Sequence, residues 1–314
     1  MKKLVVSSSP HINSPLTTRR VMLEVIIALL PASVAGIVIF GIRALAVLAV
    51  CVSAAVISEF LFNYLTKKPQ TVDDLSAIVT GLLLGLNIRA DAPLWQCALG
   101  SVFAIVVVKC LFGGLGCNFA NPAITARVFL VISFAGTLAG GAEPWIIGTS
   151  AESLVSGATP LERISTGAGL PTLLDMFIGL HGGAIGETCV AALLLGFLYL
   201  ALRRIINAEV PLIFIGTVFV LSLIAYSDFY TALYQILSGG LVLGAVFMAT
   251  DYVTTPITRS GKMIFAFGCG IITFLIRYFG SYPEGVSYAI LFMNILSPYI
   301  EKWTAPRALG GNAK

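Results

Sequence analysis

Apolar residues run along this chain in blocks separated by short polar connections, and the blocks are too long for strands or for half-buried surface helices. About 20 apolar residues cross a bilayer, and shorter blocks are tolerated inside a bundle. On that measure ten helical spans are predicted, over 21–41, 44–65, 74–88, 94–112, 122–141, 184–203, 211–227, 231–250, 262–280 and 284–301. Between the fifth and the sixth lies a stretch of another character. Residues 142–183 are rich in Gly, Ser and Thr and show no strong period, and a loop of that length is uncommon unless it has a task.

The charges test the count, because Lys and Arg gather in cytoplasmic loops. One set of alternate connections holds Lys2, Lys3, Arg19, Arg20, Lys67, Lys68, Lys109, Arg127, Arg203, Arg204, Arg259, Lys262, Lys302, Arg307 and Lys314, whereas the other holds only Arg43, Arg89, Arg163 and Arg277. Both termini are therefore expected in the cytoplasm and the 142–183 loop on the outer face. The chain divides into a cytoplasmic segment 1–20, a first five-helix repeat 21–141, the extracytoplasmic loop 142–183, a second five-helix repeat 184–303 and a cytoplasmic tail 304–314. Five crossings per unit invert the second copy relative to the first.

TGLLLGLN (Thr80 to Asn87) in the third span resembles GGLVLGAV (Gly239 to Val246) at the equivalent place in the second half. Two readings stay open for these glycines. They allow close helix packing, or they mark short and interrupted helices around a midplane binding site.

Composition agrees with the pattern. The 314 residues are 58% hydrophobic and 11% charged, with a mean hydropathy of +0.96, too few charges to coat a soluble globule of this size. The net charge of +4 is explained by topology and implies no nucleic acid. The polar opening up to Thr18 leads into a span-length run, so no cleaved signal peptide is expected. Cys51, Cys97, Cys110, Cys117, Cys189 and Cys269 form no C-x-x-C pair. They read as small buried apolar side chains, and no metal site is built on them.

Ionisable residues inside or at the edges of the spans need a reason, because each costs a few kcal/mol near the bilayer centre. They are Glu24, Glu59, Lys109, Arg127, Glu187 and Asp251. Lys109 and Arg127 are expected to reach the cytoplasmic interface with their long stems. Glu59, near the cytoplasmic end of the second span, and Asp251, at the end of the eighth, are ion-path candidates. Either would accept Na⁺ or a proton, with Thr250, Thr254 and Thr255 able to complete an oxygen shell around Asp251; an interfacial cap or ion pair accounts for both equally well.

The outer loop contains Ser156-Gly157-Ala158-Thr159. Such a string is ordinarily a turn with exposed hydroxyls, yet Gly157 and Ala158 also leave the backbone bare for an enzyme to grip, and Thr159 offers a hydroxyl. S-G-A-T resembles the site at which a flavin transferase esterifies the phosphate of FMN to threonine in the RnfD/NqrB family. These are membrane subunits of the Rnf and sodium-pumping NADH:quinone oxidoreductase complexes. GGLGCNFANPAITARVF (Gly113 to Phe129), GLHGGAIGET (Gly179 to Thr188) and GAVFMATDYVTTPIT (Gly244 to Thr258) resemble signatures of the same family, in order. The short segment ahead of the first span favours the Rnf branch. Tyr252 follows Asp251 where the family commonly has Pro.

The resemblance implies an all-α integral membrane protein of about ten spans, with two inverted five-helix repeats like those of urea-transporter-like channels. It implies FMN held through a phosphoester on Thr159, with Ser156, Gly157 and Ala158 as neighbours read by the flavin transferase. It also admits a second, non-covalent flavin such as riboflavin. Gly182, Gly183 and Gly186 would offer backbone N–H groups to the phosphate or ribityl chain, or would simply form a loop-to-helix junction. The expected role is electron relay within a ferredoxin:NAD⁺ oxidoreductase that moves Na⁺ or H⁺. Ferredoxin and NAD⁺ would bind partner subunits carrying iron–sulfur centres and flavins, and this chain would supply no catalytic side chain of its own. Two alternatives remain: an inverted-repeat channel or secondary transporter with Asp251 in its path, and an NqrB-like quinone-reducing subunit. The expected location is the cytoplasmic (inner) membrane, in contact with lipid.

Overall fold

The computed structural model describes residues 17–138, 140–144, 156–157, 159–166, 169–280 and 284–306. Each of the ten apolar blocks is helical. The first five are α1 (Thr18–Phe40), α2 (Ile42–Leu65), α3 (Ser76–Leu86), α4 (Leu94–Val102, continued by a π-helical stretch Phe103–Cys110) and α5 (Pro122–Ser133). After a short α6 (Ala135–Leu138), the 142–183 region contributes α7 (Pro160–Thr166) and α8 (Leu173–Ile178). The second set is α9 (Val190–Leu202), α10 (Glu209–Tyr226), α11 (Phe229–Leu237), α12 (Leu241–Leu243, continued by a π-helical turn Gly244–Met248), α13 (Arg259–Phe279) and α14 (Val286–Thr304). Among the described residues, α1, α2, α10 and α13 are long and apolar enough to cross a bilayer singly. The α11–α12 pair, bent by 62°, makes a fifth if counted as one broken span.

The helix ends follow local chemistry. Thr17 caps α1 and Gly41 ends it with φ 71°, a left-handed backbone that glycine adopts without a side-chain clash. Asn121 caps α5 through the N–H groups of Ala123 and Ile124, with Pro122 in the first turn, where its missing donor costs nothing. The two helices of the loop start on capping boxes, Thr159 with Glu162 and Thr172 with Asp175, so a region without apolar periodicity still holds two short helices.

Packing brings the two sets together. α2 lies against α3 and α4, α10 against α11 and α13, α1 against α9, and α5 against α14. The glycines of TGLLLGLN serve close approach: a Cβ on Gly81 would stand 2.8 Å from the Cys51 carbonyl oxygen and from Val52 Cα on α2. At the α1–α9 crossing a Cβ on Gly196 would come within 2.3 Å of the Ala28 carbonyl. Gly196→Leu should therefore part α1 from α9. Relocating backbone costs about 1–3 kcal/mol or more, and a drop in the midpoint of SDS-induced unfolding measured in detergent would report it.

Outward faces are apolar, with Ile42, Phe279 and Trp303 more than 70% exposed; on helices of this length such faces meet lipid tails. Cys51, Cys97, Cys110 and Cys269 are buried as expected, whereas Cys117 is exposed on the GGLG loop after the π-helical stretch.

Candidate functional site

Two cavities lie between the packed helices, near opposite ends of α3 and α5. The first, about 1030 Å³, is bounded by the end of α3 (Asn87, Ile88), Arg89, Arg127 and Leu130 of α5, Thr159 and Leu161 at the start of α7, Ala184 and Glu187, Gly239 at the α11–α12 break, and Glu284 and Tyr288 at the start of α14. Ligand cavities of about 300–1,000 Å³, mostly apolar with a few converging polar groups, are the usual binding sites of folded proteins. Both interrupted helices contribute to this wall, as the short third span and the broken eighth suggested.

Thr159 is fixed by α7. Its backbone N–H donates to Glu162 Oε2 at 2.9 Å, and its hydroxyl oxygen accepts the Glu162 N–H at 3.3 Å. Just before it, Ser156 and Gly157 form a two-residue antiparallel ladder with Ala142 and Gly141, and Ala142 exchanges backbone hydrogen bonds with Gly183 at 3.1 and 3.2 Å. The S-G-A-T backbone is thereby tied, through Ala142, to the GGAIGET segment. Ala158 lies outside the described residues.

The glycines of that segment have structural duties. Gly183 N–H donates to Ala142, Gly186 N–H donates to Leu86 at 2.8 Å, and Ile185 N–H donates to Ile88 at 3.1 Å. These donors are committed within the chain, so the expectation that Gly183 and Gly186 offer N–H groups to a phosphate gives way to a junction that seats the segment on the end of α3. A Cβ on Gly186 would strike Leu86 Cβ at 2.6 Å. Gly182 borders a separate hollow beside Arg163 and His181.

A buried polar network forms the cavity's inner wall. Arg127 donates from Nη1 to Asn87 Oδ1 and from Nη2 to Glu284 Oε2, while Glu284 Oε1 accepts the Gly240 N–H at 3.1 Å. Glu284 thus neutralises both a guanidinium and the first turn of α12, whose unpaired N–H groups favour an anion. Glu187 Oε1 accepts the Ala184 N–H at 3.0 Å. Arg277 of α13 reaches the Gln235 and Ser238 carbonyls at the α11–α12 break, where α11 ends with unsatisfied acceptors. Arg127, expected to snorkel to the cytoplasmic interface, is instead 8% exposed and turned into this network; two polar partners inside the bundle outweigh a reach for water.

The second cavity, about 770 Å³, lies by the start of α3 and α5 and is lined by Ser76, Thr80, Lys109, Asn118, Asn121, Thr250 and Asp251, among others. Lys109 does not snorkel either. Its ammonium donates to Glu59 Oε1 at 2.7 Å and to Ser76 Oγ at 2.6 Å; Thr71 donates to the same Glu59 oxygen at 2.6 Å, and Lys109 and Glu59 are 2% and 1% exposed. Glu59 is thus half of a buried ion pair and not an isolated carboxylate. Asp251, just past the helical end of its span, accepts the Val253 N–H at 3.4 Å and the Thr254 hydroxyl at 3.1 Å, while Thr255 donates to the Asp251 backbone carbonyl. Burial raises the Asp251 carboxyl above its ordinary pKa. Glu24 pairs with Tyr199 and Arg203 across the α1–α9 contact.

Glu284, Asn87 and Gly240 carry no mark in the sequence. Glu284 sits in an ordinary-looking SYPEG turn, and its partner Arg127 is 157 residues away. The one available signal is Gly239-Gly240 followed by an apolar run, which marks a helix start within an expected span.

Residues 5–310 match the model of the NQR2, RnfD, RnfE family. The chain is 46% identical over 311 residues to the D-type subunit of the Na⁺-translocating ferredoxin:NAD⁺ oxidoreductase complex of Acetobacterium woodii, covering 98% of this chain and 95% of that one. It is 40% identical to the D-type subunit of the proton-translocating ferredoxin:NAD⁺ oxidoreductase complex of Clostridium ljungdahlii, covering 97% and 96%. It is also 40% identical to the D-type subunit of the ion-translocating oxidoreductase complex of Stutzerimonas stutzeri, covering 94% and 93%. With nearly its whole length matched to both the family model and these relatives, the chain belongs to the NQR2, RnfD, RnfE family of membrane proteins.

Proposed function

We propose that this chain is the D-type membrane subunit of an ion-translocating ferredoxin:NAD⁺ oxidoreductase, and that it holds FMN by a phosphoester to Thr159 in the first cavity. The relatives support the subunit assignment. The flavin reading is carried by one observation: the Thr159 hydroxyl opens on a cavity large enough for a tricyclic ring and walled by Leu130, Leu161 and Tyr288, with Asn87, Arg127 and Glu187 on its polar side. The residues fit the group. Apolar side chains cover ring faces, and the polar groups match the hydrogen-bonding edge.

FMN, when bound, supplies one-electron transfer chemistry, and the protein places and tunes it. Thr159 tethers it through Oγ1, and the Thr159–Glu162 box holds that oxygen at the cavity's rim. Arg127, with Arg89 nearby, sets a positive potential that favours arrival of an electron. Leu130, Leu161 and Tyr288 keep bulk water from the ring. Ferredoxin and NAD⁺ bind partner subunits in this reading, which places both termini in the cytoplasm and α7 on the outer face. It treats 21–141 and 184–303 as inverted repeats, a reading supported by the way α1 meets its counterpart α9 and α5 meets α14. The second cavity, with Asp251 and the Lys109–Glu59 pair, is the proposed ion-path end.

The test is in-gel flavin fluorescence of the denatured chain co-expressed with a flavin transferase. The parent should fluoresce and Thr159→Ser should keep the signal, whereas Thr159→Val should lose it at equal abundance in the membrane. Val also removes the cap, at about 1 kcal/mol, too little to unfold the chain. A dark parent beside a transferase active on another substrate would sink the covalent-flavin reading and favour a channel.

A further inference from the structure

Glu187 is the one acidic side chain of the first cavity that the proposed function leaves without work. It is 7% exposed; Oε1 takes the Ala184 N–H, while Oε2 is buried and has no hydrogen-bond partner among the described residues. An orphaned carboxylate oxygen in a low-dielectric wall is costly. It is relieved if the group carries a proton or if the cavity's occupant bonds to it.

A second carboxylate stands close by. A Cβ on Gly240 would lie 2.7 Å from Glu284 Oε1, 3.3 Å from Arg127 Nη1 and 3.6 Å from Glu187 Oε2, so three charged groups converge on the space that the missing side chain leaves open. Arg277 Nη2 comes within 3.2 Å of the matching position at Gly239. The charged groups facing Glu187 are thus Glu284 ahead of α14, Arg127 of α5 and Arg277 of α13. Glu284 is hydrogen-bonded on both oxygens, by Gly240 and by Arg127. Glu187 has a free oxygen, so of the two neighbouring carboxylates it is the one able to take and release a proton without breaking a bond to the protein.

With Glu187 ionised the two arginines and two carboxylates cancel. With Glu187 protonated the wall carries one net positive charge. An electron arriving in the cavity adds one negative charge, and proton uptake at Glu187 restores the balance at little cost in a medium that screens charge poorly.

We infer that Glu187 is a proton-exchanging residue of the first cavity, coupling arrival of an electron to uptake of a proton that it passes to the occupant. The inference rests on the flavin reading above. In the step, a one-electron carrier of a partner subunit gives up one electron to the ring; the Glu187 O–H bond breaks, an N–H bond forms on a ring nitrogen made basic by that electron, and water re-protonates the carboxylate. The ring gains one electron and one proton, and the carrier loses one electron. Glu187 ends unchanged.

The experiment is redox-difference infrared spectroscopy of the full chain carrying covalent flavin, comparing parent, Glu187→Gln and Glu284→Gln, each first shown fluorescent in the denaturing gel. The expected result is a carboxyl C=O band that changes on reduction, shifts in D₂O, vanishes in Glu187→Gln and persists in Glu284→Gln. A band that survives Glu187→Gln, or no carboxyl band in the parent, overturns the assignment. Infrared pH titration of Thr159→Val, which lacks the tether, reads the carboxyl alone: a titrating band lost on adding Glu187→Gln upholds the proton-holding role, and its absence overturns it. A dark parent gel together with that titrating band would separate failure of the flavin reading from failure of this one.

Discussion

Lys109→Met should lower the midpoint of SDS-induced unfolding more than any surface change, by the equivalent of about 3–5 kcal/mol, the usual result of removing one partner from a buried ion pair. Lys109 and Glu59 are both almost wholly buried, and the ammonium also serves Ser76. Without it, one Glu59 oxygen keeps Thr71 and the other, already unpartnered, faces the interior with a net negative charge. Adding Glu59→Met should recover most of the loss, because an apolar pair of similar volume often matches a buried ion pair. If the single variant costs as little as a surface pair, the charges reach water and the ion pair is not the buried unit described above.

The second large effect is expected at Arg127. Arg127→Met strips the donors from Asn87 and Glu284 together, leaving a carboxylate beside Glu187 with only the Gly240 N–H in support. About 3–5 kcal/mol should again be lost. Here the cavity is hit as well, since Arg127 forms part of its wall. Covalent fluorescence should survive, because Thr159 is untouched, while the reduction potential of the attached flavin should fall without the nearby positive charge. An unchanged potential would place the ring away from Arg127 and out of this cavity.

How far the sequence could be read differs between these residues and the helices that carry them. All ten apolar blocks became helices because apolar length and loop polarity are local properties, available residue by residue. The short helices of the loop were also locally written, in Thr159-x-x-Glu162 and Thr172-x-x-Asp175, but lack of periodicity hid them. Lys109 and Arg127 went the other way. Judged by distance to the membrane edge, both should reach outward; what turned them inward are partners 50 and 40 residues away in Glu59 and Asn87. Partner choice across helices is decided by packing, and a single sequence does not display packing. The same reason hid Glu284. The glycines of GGAIGET show the limit from the other side, since a phosphate cradle and a tight junction call for the same residue and only the committed N–H groups separate them.

The π-helical stretch Phe103–Cys110 has a meaning for how this chain tolerates length changes. A π turn carries residues that an α turn does not, so the segment is in effect an α-helix with an insertion held in register by its surroundings. Deleting one residue between Phe103 and Val108 would let the ordinary ladder close. It would also swing everything after the deletion by about 100° around the axis, at 3.6 residues per turn. Lys109 would turn away from Glu59, and the GGLG loop that follows would leave the bundle at another angle. The irregular winding is thus the setting that aims a single ammonium, and the more regular helix would be the defective one.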